Sequence, residues 1–180
     1  MNKPFTNVYL IGPMGSGKTT IGQRLAKLMD MEFLDNDHEL ESHTGANVGL
    51  IFDLEGEDGF RKRETAMLKS LVARKNILLA TGGGTVVSAK NRELLKHSGL
   101  VVYLKTSVSQ QLRRLRQDKS RPLLQSVDRQ EKLANLARER NPLYESLADL
   151  TFPSQNRGLD AASRALYNAI LSHQTAEAET

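Results

Sequence analysis

Near the N-terminus, Gly12-Pro13-Met14-Gly15-Ser16-Gly17-Lys18-Thr19 follows the spacing G-x-x-x-x-G-K-[ST]. The apolar run ahead of it, Val8-Tyr9-Leu10-Ile11, reads as a buried strand. Behind it, Ile21, Leu25, Leu28 and Met29 recur at helical spacing. A strand that passes through a glycine loop straight into a helix leaves few folds open, because it is a building unit of parallel α/β sheets. Gly12, Gly15 and Gly17 let the backbone take turns that a Cβ would block. Successive N–H groups can then form a nest for phosphate oxygens, backed by the positive end of the helix dipole. In that geometry Lys18 reaches the β- and γ-phosphates and the Thr19 hydroxyl is placed to coordinate Mg²⁺. The plain alternative is a glycine-rich turn that only links strand to helix.

The rest of the chain extends the α/β pattern. Apolar runs at Val8–Ile11, Glu32–Leu34, Ile77–Ala80, Val101–Leu104 and Leu150–Phe152 read as strands. Helices are expected near Thr19–Met29, Phe60–Ala73, Ala89–Lys96, Val108–Gln117, Gln130–Arg140 and Asp160–Leu171. Alternation of this kind predicts a mostly parallel sheet with ligands at the carboxyl ends of its strands. The phosphate loop, Asp35-Asn36-Asp37 and Gly82-Gly83-Gly84 each follow a strand, so all three should converge on one face.

Composition narrows the class. With 180 residues, 39% of them hydrophobic and 26% charged, the chain suits one globular domain. No run approaches the ~18 apolar residues of a membrane span, and the N-terminus is expected to carry no secretory signal. There is no cysteine, which excludes disulfides and thiolate metal sites and suits a cytoplasmic location. The formal net charge of +4 admits either nucleic acid or a pocket for anionic small molecules. Between Arg113 and Arg140, Lys and Arg outnumber Asp and Glu, but no aromatic residue is interleaved. The chain has no Trp, four Tyr and five Phe, a poor supply for base stacking. Phosphate and carboxylate handling is the better reading, and a monomer is expected because no coiled-coil pattern is visible.

Several residue groups could carry chemistry. If Asp35 and Asp37 lie on extended chain, both carboxylates point the same way, one toward Mg²⁺ and the other toward a substrate hydroxyl. The bland reading is a strand-end turn in which Asp37 caps the next helix. Three glycines in a row at 82–84 make sense where backbone approaches a ligand or another segment. Arg61 stands among mixed charges, and Arg140 stands where a helix is expected to end before Pro142; locally, each could simply face solvent. Arg114, Arg116 and Arg121 lead into and sit within a loop, residues 119–129, that could close as a lid over a transferring phosphoryl group; otherwise they form a basic surface. The four histidines are dispersed, with no metal-ligand spacing. The polar residues 173–180 are expected to fray.

Taken together, the stretches Gly12–Thr20, Asp35-Asn36-Asp37, Phe60-Arg61-Lys62-Arg63-Glu64, Thr81–Gly84, Arg121-Pro122-Leu123-Leu124 and Arg140-Asn141-Pro142-Leu143-Tyr144 resemble the shikimate kinase family of phosphate-loop kinases. The resemblance spans residues 7–172. It implies a three-layer kinase fold with a five-stranded parallel sheet, a substrate segment at 35–62, and a mobile lid at 114–128. The implied activity is transfer of the ATP γ-phosphoryl group to the 3-hydroxyl of shikimate. It implies that Gly15, Ser16, Gly17, Lys18, Thr19 and Thr20 hold the phosphates of ATP. Thr19 would sit on Mg²⁺, with Asp35 near it through water. Asp37 would bind substrate hydroxyls and serve as base. Arg61 and Arg140 would hold the carboxylate, and Gly82, Gly83 and Gly84 would line the pocket. Arg121 would close onto ATP, while Arg114 and Arg157 would meet the adenine end. Asn36, between the two acids, is expected to point away from the shared face. A gluconate kinase is the alternative enzyme, a catalytically silent binding domain the alternative class.

Overall fold

The strand residues settle the architecture. In β1 (Asn7–Ile11) every residue is buried, and side chains alternate between the two faces of the sheet. Val8 and Leu10 join the core formed by Leu25, Leu78, Val102 and Leu166. Tyr9 and Ile11 join the opposite core, with Leu68, Leu79, Val101 and Tyr144. A strand covered on both faces reads as continuous apolar sequence, which is why these runs are visible without alternation.

The computed structural model describes residues 6–116, 128–154 and 158–178. Besides β1 it contains α1 (Lys18–Met29), β2 (Glu32–Asp35), α2 (Asn36–Thr44), α3 (Val48–Val72), β3 (Ile77–Ala80), a short 3₁₀ turn (Thr85–Val87) and α4 (Ala89–Lys96). β4 (Leu100–Lys105), α5 (Val108–Arg114), α6 (Arg129–Leu147), β5 (Leu150–Pro153) and α7 (Leu159–Ala178) follow. The five strands form one parallel sheet in the order β2-β3-β1-β4-β5. α1 and α7 supply one layer; α3, α4 and α6 supply the other. This is the expected three-layer fold. No helix among the described residues is long and apolar enough to cross a membrane.

Topology positions the site. β1 leads to β2 on the far side of β3, and β3 leads to β4 on the far side of β1. The connections from these neighbouring strands leave in opposite directions, so a crevice opens at their carboxyl ends. Register brings Leu10 beside Ala80 and Ala80 beside Asp35, so the loops after β1, β2 and β3 start level with one another.

Four segments depart from the sequence expectation. α2 begins directly at Asn36, with no extended segment after β2. Its caps define it: Asp35 accepts from Asp37 N and His38 N, and Gly45 closes it at φ 69°. α3 starts at Val48 rather than near Phe60 and is kinked at Gly56 (φ 69°, ψ −176°). Leu40, Ile51 and Phe60 pack together and hold these poorly patterned turns in place. α6 runs through Pro142 to Leu147 instead of ending at Arg140. An interior proline costs about 3 kcal/mol, which burial of Tyr144 and Leu147, at about 1.5–3 kcal/mol each, offsets. α7 continues to Ala178, and Thr175 Oγ1 donates to Leu171 O where the polar end is expected to fray.

Candidate active site

The phosphate loop departs from β1 at Gly12. Gly12, Gly15 and Gly17 all have positive φ, at 145°, 76° and 90°, the conformations that disfavour a side chain. At Gly12 space also decides, since a Cβ would lie 2.8 Å from Leu104 O on β4. Gly17 caps α1 and makes no side-chain capping bond of its own. That is the arrangement of an anion cradle. Lys18 is 9% exposed and its ammonium donates to Gly12 O (2.8 Å) and Pro13 O (2.9 Å), which holds the charge across the loop. Ser16 is fully buried in the loop, and Thr20 Oγ1 donates back to Gly17 O.

Asp35 and Asp37 do not lie on one extended strand. Asp35 ends β2 and caps α2; Asp37 sits in the first turn of α2. The capping residue is therefore Asp35 rather than Asp37. Its two oxygens divide the work: Oδ1 accepts from Asp37 N and His38 N, and Oδ2 accepts from Thr19 Oγ1 at 2.8 Å. The helical offset lets Asp37 border a second space besides the one it shares with Asp35. A cavity of about 180 Å³ over the phosphate loop is lined by Lys18, Thr19, Asp35 and Asp37. A second cleft, of about 470 Å³, lies between α2, α3, the glycine triplet and α6. Asp37, Gly82 and Gly83 line both, so they mark the junction of the two spaces. Asn36 is fully buried and lines neither.

The larger cleft holds two arginines. Arg61 Nη1 donates to Glu64 Oε2 at 2.8 Å, and Nη2 to Glu57 Oε1 at 3.2 Å. Burial pulls the Arg61 pKa down, but Glu64 and then Glu57 outweigh this and hold it above its ordinary value. Its guanidinium also lies 5.2 Å from the centre of the Phe60 ring, itself stacked on Phe52. Arg140 is 6% exposed; its Nε is buried without a hydrogen-bond partner, and no carboxylate of the described residues forms an ion pair with it. One turn on, the Tyr144 hydroxyl donates to Gly83 O, which ties α6 to the triplet. Burial raises the Tyr144 pKa despite the nearby Arg140 charge. Gly84 lies directly against the Arg61 guanidinium, which a Cβ there would displace.

At the other end of the phosphate loop, Arg114 Nη1 donates to Gly15 O (2.9 Å) and Ser154 Oγ (2.8 Å). Burial, helped by the Arg113 charge, holds its pKa below the ordinary value. It borders a cavity of about 200 Å³ with Gly17, Thr20, Phe152 and Leu159. Arg121, Arg157 and most of the expected lid lie outside the described residues.

A family model described as shikimate kinase matches residues 14–171. The chain belongs to the shikimate kinase family. A shikimate kinase of Pasteurella multocida is 52% identical over 152 residues, 84% of this chain and 87% of its own length. One from Vibrio cholerae is 46% identical over 167 residues, 93% of this chain and 96% of its own. The solved structure of shikimate kinase from Acinetobacter baumannii in complex with shikimate superposes with a TM-score of 0.88 at 50% identity, covering 96% of this chain and 94% of that one. A gluconokinase from Sinorhizobium meliloti reaches a TM-score of 0.58 at 15% identity, a likeness of fold alone.

In this shikimate kinase family member, the phosphate-loop residues, Asp35, Asp37 and Arg114 gather around one crevice with Arg61, Gly82–Gly84 and Arg140. Glu64 and Tyr144 border the same crevice, and the sequence alone does not single them out. Glu64 is fully buried, yet in a mixed-charge run it looks like a solvated helix face. Its three-residue spacing from Arg61 was the available signal.

Proposed function

We propose that this chain transfers the γ-phosphoryl group of ATP to the 3-hydroxyl of shikimate, releasing ADP and 3-phosphoshikimate. The observation that carries this is Arg140, a buried guanidinium with no carboxylate among the described residues, facing the same cleft as Arg61. Buried charges are rarely left unmatched. Two arginines lining one cleft suit a carboxylic acid held by charge-assisted hydrogen bonds. Asp37, at the junction with the phosphate cavity, is placed to accept the proton of a substrate hydroxyl. The hydroxyl oxygen then bonds to Pγ, the bond from Pγ to the ADP oxygen breaks, and the proton passes to Asp37.

Lys18 and the loop amides hold the phosphates and offset charge as the bond breaks. The Thr19 hydroxyl and Asp35 carboxylate, 2.8 Å apart beside Lys18, are hard oxygen donors suited to Mg²⁺. Among the described residues no cluster of three His, Asp or Glu could hold a metal alone, which suits an ion bound largely through nucleotide phosphates. Mg²⁺, when bound, supplies charge neutralisation at the phosphate oxygens. Arg114 serves the adenine end of ATP; Arg121 and Arg157 keep the roles the family resemblance implies. The reading includes a monomer working in the cytoplasm on small molecules.

The test is a coupled ADP-release assay with ATP and Mg²⁺, offering shikimate, quinate, gluconate or no acceptor. Shikimate-dependent release that EDTA abolishes is expected. Release with gluconate alone would overturn the substrate, and no acceptor-dependent release would favour a silent nucleotide-binding domain.

A further inference from the structure

We infer that Thr85 is a positioning residue for the arginine clamp, acting through Glu64 on Arg61; this rests on the shikimate kinase reading above. Glu64 is fully buried, and its two oxygens have separate tasks. Oε2 accepts from Arg61 Nη1 at 2.8 Å, while Oε1 accepts from Thr85 Oγ1 at 2.7 Å. Thr85 is itself fully buried and held at both backbone ends: its amide donates to Gly82 O (3.2 Å), and its carbonyl accepts from Asn91 Nδ2 (3.0 Å). The hydroxyl therefore has a fixed origin, and so does the carboxylate oxygen it holds.

That division matters because an arginine fork can take a carboxylate by two parallel bonds. Thr85 keeps Oε1 occupied, so Glu64 engages Arg61 through one oxygen and leaves guanidinium donors for a ligand in the cleft. Without the hydroxyl, Oε1 becomes a buried acceptor lacking a donor, a costly state. The Arg61 guanidinium is a donor already bonded to the same carboxylate. Glu64 turns to a two-pronged grip on Arg61, and the clamp is drawn away from the substrate. The pair lies directly under the glycine triplet, since a Cβ at Gly82 would come 3.0 Å from Glu64 Oε1 and 3.3 Å from Thr85 Oγ1.

Steady-state kinetics of Thr85→Val, Thr85→Ser and the parent chain test this. Thr85→Val should raise the shikimate KM by about ten-fold or more, the size of a lost hydrogen bond to a charged group. The ATP KM and kcat should stay within about two- to three-fold, and Thr85→Ser should restore the shikimate KM. A folded Thr85→Val protein with an unchanged shikimate KM, or with both KM values raised equally, overturns the inference, as does failure of Thr85→Ser to restore. If Thr85→Val does not fold, Thr85→Cys keeps the shape with a weaker donor and should give an intermediate shikimate KM; a parental value overturns the inference. A parent chain that releases no ADP with shikimate would instead refute the kinase reading.

Discussion

Arg140 illustrates what a single side chain can contribute against its own stability. A buried cation with no ion-paired carboxylate among the described residues is a cost to the ligand-free fold, and replacing such a group by an apolar one of similar size is often neutral or stabilising. Arg140→Met is expected to hold or raise the melting temperature while raising the shikimate KM by about 10- to 100-fold, the magnitude of hydrogen bonds to a charged group. Calorimetric melting with parallel kinetics checks both halves; a lower melting temperature with an unchanged KM would make Arg140 a packing residue. The contrast with Arg61 is instructive. Both arginines look alike in sequence, each one cation among mixed charges. Only the fold supplies Arg61 with Glu64 and Glu57 and brings Arg140 to the same cleft with no such partner among the described residues. The spacing of Glu64 from Arg61 is visible in sequence, but its burial comes from the chain packed over it.

At the scale of elements, the segment between β2 and the middle of α3 was the least legible. α2 buries only Asn36 and Leu40, so it offers no apolar period to read. The first turns of α3 carry Gly49, Gly56 and Gly59, which propensity disfavours. Caps at Asp35 and Asn47 and the packing of Leu40, Ile51 and Phe60 override that preference. Gly56 makes the kink: φ 69° with ψ −176° is a region open essentially to glycine, and nothing lies within 4 Å of where its Cβ would be. Strain alone should therefore govern Gly56→Ala. A loss of about 1–3 kcal/mol is expected in urea unfolding, with the shikimate KM rising more than the ATP KM because Phe52 and Val48 in the cleft wall precede the kink. Unchanged stability would show that the kink is set by packing instead.

For the whole molecule, the core on the α3–α6 side carries a pH signature. Tyr103 and Tyr144 stack at 5.1 Å, both buried against the sheet. Burial, with a contribution from Glu145, pushes the Tyr103 phenol up to about 12, and burial also raises Tyr144. An unfolded tyrosine ionises near 10, so the unfolded chain gives up these protons first. The stability from the neutral phenols is present below about pH 10 and is lost as pH rises toward about 12. Denaturant unfolding at stepped alkaline pH should show this decline. Tyr103→Phe should shallow it and be nearly neutral at pH 7, because the Tyr103 hydroxyl is buried without a hydrogen-bond partner among the described residues. An unchanged alkaline slope would place the titration elsewhere.

Local order and connectivity were readable in advance. The phosphate loop announces itself because its glycines, lysine and hydroxyl are consecutive, and the strands do so because both their faces are covered. The parallel sheet follows from alternation, and with it the convergence of three loops. The pairing of residues distant along the chain was not readable. Thr85 reaches Glu64 across twenty-one positions and Tyr144 reaches Gly83 across sixty-one. Neighbours in sequence constrain dihedral angles and periodicity. The division of a carboxylate between two donors, the burial of a charge and the turn of Asp37 into helix depend on chain that packs from elsewhere.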